Sequence, residues 1–277
     1  MNTLPNRLIL QKYLRHNVHF PHIWCPGCGN GIFLGALLRA IERTGYHRDQ
    51  IVLVGGIGCI GRATSYVDFN TVHTAHGRAL PFATGIKAAN PALKVIAIMG
   101  DGDAVAIGGN HLIHACRRNI DVTALVVNNF NYGMTGGQMS PTTPEGARTP
   151  TSPGGSIEEP FHIADLAACA GASFSARATT FHVREMESLI FKALSRDGFS
   201  MVEVISSCPA HYGANNGAKT PVEMMRWQKE YSVPVDKAAA LSPEERKKMI
   251  ITGIIAEREV PGWTEKYRAT LDGKREK

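Results

Sequence analysis

No run of about 18 or more apolar residues, the length at which a helix can cross a bilayer, occurs in the 277-residue sequence. The stretch 1–20 mixes Arg, Lys, His and Asn among its apolar residues, so a signal-peptide core is missing as well. Together these absences read as a cytoplasmic protein with no membrane partner. Interleaved arginine and aromatic residues, the mark of a nucleic-acid groove, do not occur. The formal net charge of +6 is therefore read as solvated surface, much of it in the mixed-sign runs 244–248 and 274–277. An acidic redox partner would suit the same basic surface. No G-x-x-x-x-G-K-[ST] segment is present, which excludes a P-loop, and there is no internal repeat.

Cysteine is scarce, and without an export signal the six present argue against a disulfide framework. Cys116 and Cys169 lie in apolar, Ala-rich helical segments and read as small buried hydrophobes. Cys25, Cys28, Cys59 and Cys208 remain to be explained.

What is there alternates. Residues 51–55 (IVLVG), 94–99 (KVIAIM), 122–128 (VTALVVN) and 201–205 (MVEVI) are short runs rich in Val and Ile, and they read as buried strands. Segments 31–43, 78–89, 104–117 and 183–195 have helical length and spacing. Strand, crossover helix, strand predicts an α/β protein with a mostly parallel sheet and helices on both faces. Segment 141–160 holds five prolines and three glycines and is expected to be a long loop, either a lid or a partner contact. Past about Ala214 the rhythm stops, which divides the chain into a domain over 1–213 and a C-terminal tail over 214–277 available for subunit contacts.

In open α/β sheets, ligands sit at the carboxyl ends of the strands. Here GGIGCIG follows the first predicted strand, GDGD the second, NNFNYGMTGGQ the third and SSCPAH the last. All four unusual loops are expected on one rim. Asp101, between Gly100 and Gly102, is a hard oxygen donor at that rim, and Asn129 lies on the next loop along. Such a pair suits magnesium, which takes oxygen ligands and keeps positions for phosphate and water. GDG alone is more often a turn. GGIGCIG resembles a dinucleotide-binding turn only in part, because Cys59 interrupts it. Cys25 and Cys28 share C-x-x-C spacing, and with Cys59 and Cys208 on the same rim they fit either a four-cysteine zinc site or a [4Fe–4S] cluster.

WCPGCGNG, GGIGCIGR, HTAHGRA, GDGD, NNFNYGMTGGQ and SSCP, in this order over roughly 25–208, resemble the motifs of the thiamine diphosphate-binding β subunits of 2-oxoacid:ferredoxin oxidoreductases. The resemblance implies the pyrophosphate-type domain of the thiamine diphosphate-binding fold. It implies magnesium on Asp101, Asn129 and the backbone of Asn131, and one [4Fe–4S] cluster on Cys25, Cys28, Cys59 and Cys208. Gly100, Gly102, Asp103, Gly133, Met134 and Thr135 would line the diphosphate; Ile57, Gly58, Cys59 and Ile60 would touch both cofactors. His76 matches a histidine beside the cofactor, while His73 and Arg78 stay unassigned. Arg62, where some relatives carry Lys, has a planar fork suited to a carboxylate, which favours 2-oxoglutarate over pyruvate or a branched-chain 2-oxoacid. The implied reaction is 2-oxoacid plus coenzyme A to acyl-coenzyme A, carbon dioxide and reduced ferredoxin, in either direction. With no ferredoxin-like C-x2-C-x2-C-x3-C-P run, the single cluster would pass electrons directly to ferredoxin. The aminopyrimidine half of the cofactor site has no counterpart in the chain. An α subunit is therefore expected, in αβ pairs forming a dimer of heterodimers.

Overall fold

In a strand, successive side chains point to opposite faces, so a central strand must be apolar at every position. The predicted strands come close to that condition, with Glu203 the charged exception at a central position, and in the computed structural model, which describes residues 6–17, 21–218 and 220–275, they form the middle of one sheet. Parts of the stretch 1–20 and of the charge run 274–277 lie outside the described residues. The strands are β1 (Ile51–Gly55), β2 (Asn70–His73), β3 (Lys94–Gly100), β4 (Val122–Asn128), the two-residue pair β5 (Asn131–Tyr132) and β6 (Gln138–Met139), β7 (Phe174–Thr179), β8 (Ser200–Ile205), β9 (Ser232–Pro234) and β10 (Ile250–Glu257). The helices are α1 (Asn6–Tyr13), α2 (Asn30–Thr44), α3 (Ala63–Tyr66), α4 (Ala79–Ala89), α5 (Asp101–Val105), α6 (Gly109–Arg118), α7 (Ile163–Cys169), α8 (Val183–Leu194), α9 (Pro221–Tyr231), α10 (Val235–Ala238), α11 (Pro243–Lys247) and α12 (Trp263–Arg275).

The sheet runs β2-β1-β3-β4-β8-β7-β10-β9. All neighbours are parallel except β7 and β10. Its two faces carry separate cores. Ile96, Ile98, Leu125 and Val127 pack with residues of α2 and α8, while Val95, Ala97, Met99, Ala124 and Val126 pack with those of α4, α6 and α7. At the register Gly100↔Val127 and Asn128↔Ile205, the three central strands end side by side. The loops that follow them have no alternative but to share one rim.

Three sequence expectations change. Segment 104–117 is not one helix: α5 begins at Asp101, breaks after Val105 and restarts at the Gly108–Gly109 pair, since glycine is a poor helix former. The segment past Ala214 is not only a tail, because β10 joins the main sheet against β7 and β9 extends it. Cys116 is buried as expected, but Cys169 closes α7 and is exposed.

Candidate functional site

The loop after β3 turns straight into α5, which places Asp101 at its first residue, 2% exposed. Its Oδ2 accepts hydrogen bonds from Ser140 Oγ and Thr142 Oγ1, both at 2.6 Å. Burial pushes the carboxyl up to about 6 against these bonds. Beside its other oxygen, one end of the Asn129 amide lies 3.2 Å from Asp101 Oδ1 and 2.7 Å from the Asn131 carbonyl oxygen. With nitrogen at that end, the amide donates to both. With oxygen there, three oxygens face one another at about the spacing of neighbouring ligands around magnesium, whose Mg–O bonds of about 2.0–2.1 Å put adjacent oxygens roughly 2.9 Å apart. Such a trio is stable only around a cation.

A longer chain of bonds steadies it. Arg177 in β7 donates Nε to Glu203 Oε2 at 2.7 Å, and Glu203 Oε1 accepts from Asn128 Nδ2 at 2.8 Å. Asn128 Oδ1 in turn accepts the Phe130 N–H at 3.0 Å, so this buried ion pair fixes the turn that carries Asn129. The segment 141–160, expected as a lid or a partner contact, contributes Thr142 and Thr143 to this support. Thr143 Oγ1 bonds the Phe130 carbonyl at 2.7 Å, and both threonines are 2% exposed. Because its start is packed under the site, that part is a strap rather than a lid.

An open cavity lies above Asp101. Its walls include Ile57, Gly58, Cys59, Ile60, His76, Gly100, Gly102, Asp103, Gly133, Met134 and Thr135, the whole set expected to line the cofactor, together with Asn129 and Asn131. Its shape fits a ligand. A Cβ built on Gly58, whose φ of +132° favours glycine, or on Gly100 would meet nothing within 4 Å. Asn30, at the first turn of α2, is 2% exposed and lines the cavity with Nδ2 lacking a partner. Asp103 Oδ1 lies 2.6 Å from His76 Nδ1 and accepts the Gly77 N–H at 2.6 Å. A proton on Nδ1 directed at Asp103 leaves Nε2 as the free nitrogen of a ring that lines the cavity. Gly56 is obligatory here, because a Cβ would fall 1.7 Å from Asp103 Oδ2.

A second cavity is lined by Cys25, Cys28, Cys59, Cys208, Arg62 and His211 among others. It shares Cys59, Asn129, Gly133 and Met134 with the first. Burial raises the Cys28 thiol to about 12; the Asn30 backbone N–H opposes this, and Cys208, Cys59 and Cys25 add to it. Cys59 is raised by burial and then by Cys208 and Cys25. Four cysteines lining one cavity fit a group that binds them as thiolates and offsets the cost of burying that charge. Among the described residues, no three His, Cys, Asp or Glu side chains are set to hold a single metal ion. Trp24 donates Nε1 to the Cys59 carbonyl at 2.6 Å and ties the WCPGCG loop to the glycine loop. Arg62 is exposed at the mouth of this cavity, with no ion pair to the described residues.

Asn30, Ser140 and Thr142 escaped the sequence reading, as did Tyr132, which also lines the first cavity; Asn30 and Tyr132 stand inside the quoted motifs and Ser140 two residues past one. Trp24 could be found only through contacts, since its role depends on reaching another loop.

A parallel sheet with a buried carboxylate, a facing amide and an open cavity at its carboxyl rim is the arrangement of a protein that binds a phosphate-bearing cofactor through a metal ion. In agreement, residues 56–204 match the family model of the thiamine pyrophosphate enzyme C-terminal TPP binding domain. The 2-oxoglutarate synthase subunit KorB of Archaeoglobus fulgidus is 62% identical over 199 residues, covering 72% of this chain and 74% of that one. Its counterpart in Methanothermobacter thermautotrophicus is 49% identical over 263 residues, 95% and 92% of the two chains. Among solved structures, a 2-oxoglutarate:ferredoxin oxidoreductase from Magnetococcus marinus with 2-oxoglutarate, coenzyme A and succinyl-CoA bound superposes with a TM-score of 0.85 at 28% identity, over 98% of this chain and 91% of that one. The chain belongs to the KorB family, the thiamine-binding β subunits of the 2-oxoacid:ferredoxin oxidoreductases.

Proposed function

We propose that this chain, paired with an α subunit, catalyses the coenzyme A-coupled oxidative decarboxylation of 2-oxoglutarate to succinyl-coenzyme A, or its reversal, with ferredoxin as electron carrier. The observation that carries the reading is the shared wall: Cys59, Asn129, Gly133 and Met134 border both the oxygen-lined cavity and the cysteine-lined one. A centre that activates a 2-oxoacid and a centre that accepts its electrons need that adjacency.

Asp101, Asn129 and the Asn131 carbonyl would hold magnesium, and Cys25, Cys28, Cys59 and Cys208 a [4Fe–4S] cluster. When bound, thiamine diphosphate supplies a carbon nucleophile and electron sink, and the cluster a one-electron acceptor. The chain's own part is placement. Ser140 and Thr142 fix the Asp101 carboxylate, the open faces of Gly58 and Gly100 admit the ligand, and Asn30 offers it an unused donor. His76, turned by Asp103, can hold or release a proton at Nε2. Arg62 would receive the substrate's distal carboxylate.

The test is viologen reduction by the co-expressed αβ complex with a panel of 2-oxoacids. Reduction dependent on coenzyme A and strongest with 2-oxoglutarate is expected, whereas activity with pyruvate alone would reassign the substrate. Arg62→Ala is expected to raise the KM for 2-oxoglutarate roughly tenfold or more, the scale of a lost charge-assisted hydrogen-bonded pair, and to narrow its preference over pyruvate. An unchanged KM and preference would remove Arg62 from the site. The β chain alone is expected to show no turnover.

A further inference from the structure

Glutamine is seldom fully buried in a folded protein, yet Gln228 in α9 is 1% exposed. It stands past Ala214, on the segment read from sequence as a tail. The helix opens on a capping box: Thr220 Oγ1 accepts the Glu223 N–H at 3.2 Å, and Glu223 Oε2 accepts the Thr220 N–H at 2.9 Å. Pro221, Met225 and Gln228 recur at i, i+4 and i+7, so they share one face. Pro221 closes on Gly27, between Cys25 and Cys28, where a Cβ would fall 2.2 Å from its ring. The helix thus packs on a loop that carries two of the four cysteines.

Gln228 reaches further. Its Oε1 accepts the Phe181 N–H at 2.9 Å and the Thr180 hydroxyl at 3.1 Å, both just after β7. A backbone N–H can only donate, so the amide oxygen is fixed at that end and the nitrogen faces the loop after β8. There Nε2 donates to Ser207 Oγ at 3.2 Å, and Ser207 Oγ in turn donates to Met225 Sδ at 3.6 Å. The Ser207 carbonyl accepts the Gly29 N–H at 3.2 Å, so the residue before Cys208 is held by backbone and side chain at once. Cys208 itself is 8% exposed. Its Sγ lies 3.9 Å from Asn131 Oδ1 and 3.6 Å from a Cβ built on Gly133, a residue that borders both cavities. Neither Ser207 nor Gln228 lines either cavity.

We infer that Gln228 is a positioning residue for Cys208, which it holds at the wall between the two cavities through Ser207. The inference rests on the two-centre reading above, in which Cys208 is a cluster ligand. The test uses the co-expressed αβ complex prepared without oxygen. Gln228→Leu and Ser207→Ala are each expected to speed iron loss to a ferrous chelator roughly tenfold or more, the scale for a lost partner behind a metal ligand. The double variant is expected to lose iron no faster than the quicker single one, because both act through one bond. Once the metal is stripped, site-resolved thiol labelling is expected to find Cys208 roughly tenfold more reactive in both variants, with Cys25 and Cys59 unchanged. Leu112→Ala opens the core that α6 covers and is the control for lost stability. It is expected to lower the melting temperature and leave Cys208 protected.

Labelling of Cys208 at the wild-type rate in Gln228→Leu would overturn the inference. So would additive effects in the double variant, or an equal gain in reactivity at every cysteine of the cavity or in Leu112→Ala. Should Gln228→Leu fail to fold, Ser207→Ala leaves α9 intact and carries the same expectation. A wild-type complex free of iron would instead sink the cluster reading, while the labelling still reports the hold of Gln228 on Cys208.

Discussion

Asp101 needs Ser140 and Thr142 because a lone carboxylate buried at 2% exposure is strongly disfavoured in its charged form, and two hydroxyl donors offset part of that cost. Replacing both with Ala is expected to weaken magnesium-dependent thiamine binding roughly tenfold to a hundredfold, the range for lost supporting bonds around a metal ligand. Titration calorimetry on the complex checks it, and unchanged affinity would mean that Asp101 is positioned by its backbone alone. Gly100→Val separates folding from binding. Its side chain enters open space, so the melting temperature should hold while the cofactor is shut out. At this scale much of the site was legible: every residue expected at the cofactor lines the cavity, because those motifs are local in sequence. Ser140 and Thr142 were not, since their hydroxyls lie about 40 positions from Asp101 and nothing local marks them.

Among the elements, β7 and β8 show how a strand can carry charge inside a sheet. Arg177 and Glu203, on adjacent strands at the same register, neutralise each other, and Glu203 passes the constraint on to Asn128. Glu203→Leu strands the guanidinium and is expected to cost about 3–5 kcal/mol, readable by chemical denaturation, and also to lower magnesium affinity. A variant as stable as wild type would show that water or Asp165 suffices for Arg177. The same pair explains why β7 was missed: FSARAT lacks the Val and Ile run of its neighbours, and its charge is tolerable only beside Glu203. The central strands and the helices around them were readable because their patterns are strong. β2 at the sheet edge was not, since its NTVH lacks an apolar run; β10 carries four isoleucines but was passed over because Gly253 splits the run and it lies beyond the α/β alternation.

For the whole molecule, Lys94 at the start of β3 gives a stability test remote from the rim. Burial lowers its ammonium to about 8, and Lys87 adds to that. A base depressed in the fold costs stability wherever both states are protonated. That cost is fully present below about pH 8 and is relieved as pH rises toward the ordinary lysine value of 10.5. Lys94→Met should therefore raise the melting temperature by a few degrees at pH 7, with the gain fading above pH 10. A gain independent of pH would point to packing instead. The assembly itself is the larger question, because the rim offers two adjoining cavities and the chain walls them from one side. The measurement that tests this most directly is the metal and cofactor content of the αβ complex purified without oxygen. About four irons and one thiamine diphosphate per β chain are expected, with the iron lost in Cys59→Ser. A colourless complex holding one zinc and no iron would contradict the two-centre reading.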